Sequence, residues 1–322
     1  MPAFTAQHGA LPPHGLDVWM LSGAGHEVRI LPEMGFNLYY WTYEGREILM
    51  EPVDILVKGS KYGIPLLFPT PNRMRDARFV WRGKQYAQRK RGVDVRIHGL
   101  VMDEPWAVRC WAEEGAACAE GTIEIAPGNA LHEAFPFPCR LTVRYTLRAE
   151  GLLMEAKVEN IGADDLPFGF AIHPYFSKRG DASQVFLTAP LARIYENDEN
   201  LLPSGRLLPA RGTRWDASGG WHSVQSLDLD HVYHGMTEDL CARIRYPGSV
   251  QVTLRGDDSF RNLIVFTPKD RPGFCIEHQT CATDALNLHA RGLLQEAGLL
   301  VLPAGQAWNG WVRLDVAVDN EN

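Results

Sequence analysis

Four short segments of this 322-residue chain place side chains suited to proton transfer or polar recognition in unusual surroundings. The first is Gly63-Ile64-Pro65-Leu66-Leu67-Phe68-Pro69-Thr70-Pro71-Asn72-Arg73. Its three prolines impose an extended path that cannot complete a hydrogen-bond ladder, and it delivers Asn72 and Arg73 at its end. A guanidinium there offers five donors in a fixed fork, suited to hydroxyls or carboxylates, although taken alone it reads first as a surface arginine in a loop. The second is Ile97-His98-Gly99-Leu100, where glycine after histidine lets the backbone approach a ligand; a structural histidine is the competing reading. In the third, Phe168-Gly169-Phe170-Ala171-Ile172-His173-Pro174-Tyr175-Phe176, a histidine stands among aromatic and apolar residues. It is either a core imidazole donating to a carbonyl or a titratable group in a dry pocket, where small shifts move its pKa around neutrality. The fourth, Gly273-Phe274-Cys275-Ile276-Glu277-His278-Gln279-Thr280, alternates so that Phe274 and Ile276 share one face and Cys275, Glu277 and Gln279 the other. A glutamate in the middle of such a strand is costly unless it is ion-paired or functional.

The elements that must hold these segments read as strands. Val143, Tyr145 and Leu147 alternate with Thr142, Arg144 and Thr146; after Glu150-Gly151, Met154, Ala156 and Val158 alternate with Glu155, Lys157 and Glu159. Two period-two runs around a short turn predict an antiparallel hairpin with one wet face. The same grammar recurs at Val250, Val252 and Leu254, where Gly256-Asp257-Asp258 leads into Leu263-Ile264-Val265-Phe266. It recurs again at Tyr43-Glu44-Gly45-Arg46 and at the closing run Val312, Leu314, Val316 and Val318. Residues 288–297 come nearest to a helical pattern, and they are few. With 30 glycines and 21 prolines as punctuation, and no linker, repeat or low-complexity tract, the expectation is an all-β chain folded as one large sandwich over residues 1–322.

Composition narrows the function. The formal charge is −7, which argues against a nucleic-acid partner needing a basic face. The six cysteines form no C-x-x-C pair, and neither His26-Glu27 nor His132-Glu133 is followed by a second zincin ligand. Nucleotide-binding glycine loops and a G-x-S-x-G elbow are missing. No run approaches the ~18 apolar residues of a membrane span, and the first residues lack a signal-peptide pattern, so a cytoplasmic location without a membrane partner is expected.

Taken in order, Asn-Arg, His-Gly, His-Pro-Tyr-Phe, Asp-His-Val-Tyr at residues 230–233 and Ile-Glu-His-Gln resemble the aldose 1-epimerase (galactose mutarotase) family, from about residue 28 to about residue 316. Gly83-Lys84-Gln85-Tyr86 and Asn200-Leu201-Leu202-Pro203-Ser204-Gly205 add to the resemblance. It implies an antiparallel β-sandwich of the galactose mutarotase-like type with a sugar cleft on one sheet, and no metal or cofactor. By matching motif, Glu277 takes the place of the catalytic base and His173 that of the acid; Arg73, His98 and Asp230 match hydroxyl-binding positions, with Asn72 beside them. Asp228, two residues from Asp230 on the same strand face, competes for that place. The chain departs from the common pattern at His278, Gly169 and Ala171, which bears on sugar identity more than on chemistry. The expected partner is a small sugar, and the expected state a monomer or homodimer. Alternatives are a hexose 6-phosphate substrate with Arg89-Lys90-Arg91 on the phosphate, a glycoside hydrolase or lyase, and a sugar-binding protein without catalysis.

Overall fold

The computed structural model of the chain describes residues 3–52, 54–56 and 62–318. Two large antiparallel sheets dominate the described residues. A nine-stranded sheet runs in the order Ala107–Glu113, Ala116–Ile125, Cys139–Arg148, Gly151–Asn160, Ala307–Val318, Val250–Gly256, Ala242–Arg245, Phe186–Thr188, His222–Ser223. The second sheet runs Pro203–Pro209, Arg193–Asn197, Asp230–His234, Asn262–Phe266, Gly273–Gln279, Ala171–Ile172, Leu66–Leu67, and Tyr175–Ser177 also pairs with Gly273–Gln279. An N-terminal meander from Thr5–Leu11 to Arg46–Glu47 contributes Leu21, Val28, Ile30 and Trp41 to the same core.

Period-two alternation builds that core. Leu141, Val143, Tyr145 and Leu147, with Leu152, Met154, Ala156 and Val158, point inward from the nine-stranded sheet. Leu263, Val265, Phe274 and Ile276 meet them from the other sheet, in one continuous apolar cluster. The hairpin predicted around residue 150 forms with Val143 opposite Ala156. The closing run is the strand Ala307–Val318, paired on both sides.

Two expectations need correction. The runs at 250–254 and 263–266 are both strands, but they are not partners: Val250–Gly256 belongs to the nine-stranded sheet and Asn262–Phe266 to the other. The Asp257 carboxylate takes up the amides of Ser259 and Trp311, so the turn becomes a crossover between layers. The helical stretch is two short helices, Ala285–Ala290 and Leu294–Ala297, separated at Gly292, whose φ of 83° ends the first. Among the described residues no helix is long and apolar enough to cross a membrane.

Candidate functional site

The strand Gly273–Gln279 lies inside the second sheet, flanked by Asn262–Phe266 and by Ala171–Ile172 with Tyr175–Ser177. Alternation sends Phe274 and Ile276 into the inter-sheet core and Cys275 and Glu277 to the opposite face. His278 follows the inward set and is fully buried against Phe260, their ring centroids 6.3 Å apart. On the outward face opens a cavity of about 380 Å³, the volume of a small ligand site. Its walls include Asn72, Arg73, His98, His173, Tyr175, Asp230, Arg271 and Glu277. All six residues singled out for the site therefore border one space.

Each arrives from a different element. His173 follows Ala171–Ile172, which pairs with Leu66–Leu67, and its amide donates to the Pro65 carbonyl. The proline-rich segment is thus the neighbour that fixes His173 as well as the route to Arg73. At its end Asn72 turns left-handed (φ 59°), and its Oδ1 accepts from the Arg73 amide at 2.8 Å and from Arg73 Nη1 at 3.3 Å. The Asn72 carbonyl accepts the His98 amide, tying the two loops together. His98 is also left-handed (φ 64°), a backbone state that non-glycine residues adopt where surrounding structure imposes it, often at functional sites. Gly99 serves a different purpose from the one expected. A Cβ there would lie 2.3 Å from the Phe68 carbonyl oxygen, so the close approach is to the chain's own backbone.

At the centre, His173 Nε2 stands 3.3 Å from Glu277 Oε1, both side chains almost wholly enclosed. The His173 ring lies parallel to Tyr175 at 4.6 Å and edge-on to His98 at 5.1 Å. Asp230 Oδ2 reaches Arg73 Nη2 at 3.5 Å, whereas Asp228 is exposed, which separates the two candidate aspartates.

Desolvation governs the proton affinities. Burial, reinforced by the Asp230 charge and opposed by Arg73, pushes the Glu277 carboxyl well above its usual range. Burial first, then the competing proton site of His98 and the charges of Arg271 and Arg73, pull His173 well below the usual imidazole value. Burial and Arg73 lower His98 to about 4, so it is neutral near pH 7. The resting Glu277–His173 pair is thus driven toward its uncharged form, a carboxylic acid against a neutral imidazole. Cys275 adds a sulfur, and the ligand atoms of His173, Cys275 and Glu277 lie within 4.8 Å of one another. Burial holds this thiol well above its ordinary pKa, so a cation there would have to displace protons from both sulfur and carboxyl.

The basic run at 89–91 does not join the site. Lys90 and Arg91 pair with Glu104 at 3.1 and 2.6 Å, Arg89 pairs with Asp94 at 3.0 Å, and none borders the cavity. Two contributors escaped the sequence reading. Arg271 enters the cavity from the loop before Gly273–Gln279. Asp284 donates its amide to the Arg73 carbonyl and accepts the Arg75 amide on Oδ1, clamping the arginine loop from beneath. Only its place between Thr283 and the following helix hinted at a capping role.

Comparison with known proteins bears on the fold and the family. The chain is 24% identical over 251 residues to the uncharacterized protein YihR of Escherichia coli K12, covering 72% of this chain and 74% of that one. Its fold matches a galactose mutarotase-like protein of Clostridium acetobutylicum with a TM-score of 0.87 at 20% identity, over 98% of this chain and 99% of the other. It also matches a galactose 1-epimerase of Lactobacillus acidophilus NCFM, with a TM-score of 0.77 at 16% identity, over 98% of both chains. The aldose 1-epimerase family profile spans residues 21–315, which takes in both large sheets and every residue of the cavity, and the chain belongs to that family.

Proposed function

We propose that the protein interconverts the α and β anomers of an aldose, with Glu277 as general base and His173 as general acid. The observation that carries this reading is the 3.3 Å contact between a carboxyl and an imidazole at the floor of a sugar-sized cavity. The hydroxyl oxygen and the ring oxygen of a cyclic sugar are bonded to the same anomeric carbon, so two adjoining proton carriers suit them. Glu277 takes the proton of the anomeric hydroxyl while His173 protonates the ring oxygen. The C1–O5 bond breaks to give the aldehyde, the C1–C2 bond rotates, and the reverse transfers close the ring on its other face.

The shifts favour this direction of proton flow. A sugar entering between the two groups meets a carboxylate and an imidazolium, which hold the same number of protons as the resting neutral pair. A buried carboxylate of high proton affinity is a strong base, and a buried imidazolium of low affinity is a strong acid. Ring opening returns the pair to the uncharged state that burial prefers. Arg73, held by Asn72 and Asp230, and neutral His98 are suited to hold the hydroxyls while the open chain rotates.

The test is polarimetry on freshly dissolved α-D-glucose and α-D-galactose. The expected outcome is accelerated decay of optical rotation to the spontaneous equilibrium value. Sugar binding measured by calorimetry with no change in decay rate would leave a binding protein instead.

A further inference from the structure

We propose that the cavity is built for an aldose bearing one oxyanionic substituent away from the anomeric carbon, held by Arg271; this rests on the anomer-exchange reading above. The other charges of the cavity are compensated from within: Arg73 faces Asp230 at 3.5 Å, and Glu277 and His173 share protons at 3.3 Å. Arg271 is not compensated in this way. Among the described residues its side-chain contacts are Asp270, at 4.0 Å and itself 80% exposed, and the Phe266 ring, 6.0 Å below the guanidinium carbon. A fork of five donors thus borders a ligand cavity with its hydrogen-bonding capacity unspent, on a chain whose overall charge is −7.

The loop that carries it is fastened. Lys178, 8% exposed, sends its ammonium to the carbonyls of Pro268 and Arg271, and its amide donates to the Pro272 carbonyl. Burying a lysine to hold a surface loop is costly, and its effect here is to fix the backbone on both sides of Arg271. Glu277 and His173 answer each other and take the anomeric end of the sugar, while Arg271, two residues before the strand that carries Glu277, is a separate member of the cavity wall left for another substituent. Phosphate, sulfate and carboxylate all present the planar or trigonal oxygen edge that a guanidinium grips bidentately.

The experiment compares anomer exchange on glucose, glucose 6-phosphate, glucose 6-sulfate and glucuronate, for the intact chain and for Arg271→Gln and Arg271→Lys. The expected result is a kcat/KM at least ten times higher for one of the charged sugars than for glucose. In Arg271→Gln that ratio should fall roughly ten- to a hundredfold, as loss of a charged hydrogen bond dictates, with partial recovery in Arg271→Lys. The preferred sugar identifies the substituent. Equal kcat/KM for neutral and charged sugars, or a ratio unchanged in Arg271→Gln, would overturn the proposal while leaving anomer exchange standing. Should no sugar be turned over, calorimetric affinities for the same four sugars read Arg271 independently: tighter binding of a charged sugar that is lost in Arg271→Gln supports the subsite, and equal affinities refute it.

Discussion

Two glutamates, Glu120 and Glu277, sit on strands of the two large sheets, and their surroundings treat them in opposite ways. Glu120 lies on the outer face of the nine-stranded sheet, directly across from Arg144 on one neighbour and Arg109 on the other. Burial tends to raise its pKa, but hydrogen bonds from Arg144 and Arg109 outweigh that and hold the carboxylate below its usual range. Glu277 is more deeply enclosed, its nearest ionisable neighbour is an imidazole, and the adjacent charge of Asp230 adds to the effect of burial. One face carries a cross-strand ladder of paired charges, with Arg140, Glu124, Lys157 and Glu159 continuing it. The other leaves its central carboxyl seeking a proton. A ladder of paired charges contributes solubility and modest stability; a desolvated, half-answered pair is the kind of arrangement that the proposed proton transfer requires.

The sharpest way to break this contrast is Glu277→Gln. It should retain the fold, judged by circular dichroism and thermal melting, and lose up to about 10⁴-fold in anomer exchange, the upper range for a positioned base. Near-normal turnover would remove Glu277 from the base role. His173→Asn should cost about 10²–10⁴-fold, and the double variant little more, since the two groups act as one unit. Retained activity in His173→Asn would move the acid role to His98.

Asp230→Asn tests the electrostatic origin of the shift. It should lower kcat/KM about ten- to a hundredfold through the loosened Arg73. It should also move the acid limb of the kcat profile to lower pH. The sign follows from removing a negative charge that raises the Glu277 pKa and freeing Arg73 to lower it further. An unmoved or raised acid limb would show that Asp230 does not tune the base.

His278, behind Glu277 on the same strand, probes burial without function. Burial brings its pKa to about 3, whereas the unfolded chain takes up that proton near ~6.5. Its neutral form is accommodated above pH 6.5, and stability is lost as pH falls from there toward 3, at up to about 1.4 kcal/mol per pH unit. In urea titrations His278→Leu should gain about 2–3 kcal/mol over the parent on going from pH 7.5 to 4.5. Parallel loss of stability in both proteins would refute this assignment. Smallest of all, Glu120→Gln should cost about 1 kcal/mol or less and leave anomer exchange unaltered, because its partners remain partly solvated.

Much of this was legible in the residues. Strict alternation at 142–159 and 312–318 needs no tertiary information, since one wet and one dry face dictate it. The alternation at 273–279 likewise placed Glu277 on the face away from Phe274 and Ile276. What local pattern cannot encode is which sheet a strand joins, and so the crossover after Gly256 read as a hairpin. Arg271 was invisible for a related reason: Asp270-Arg271-Pro272 reads as a surface turn until the buried Lys178 is seen to hold it. Conversely, the run at 89–91 attracted attention by charge density alone, and its cations are consumed by Glu104 and Asp94. Two aspartates at 228 and 230 were indistinguishable by period, but the strand begins at Asp230, so Asp228 lies outside it and is exposed while Asp230 borders the cavity and approaches Arg73.

The alternating faces of Gly273–Gln279 have a consequence for how such a scaffold diversifies. Because Ile276 and His278, on either side of Glu277, are packed into the interior, drift along this strand is punished twice, by lost chemistry and by lost packing. The loops bearing Arg73, His98 and Arg271 carry no such double penalty. New sugar preferences should therefore arise by exchanging loop residues around an unchanging proton-transfer strand, and a library meant to redirect selectivity is best confined to those loops.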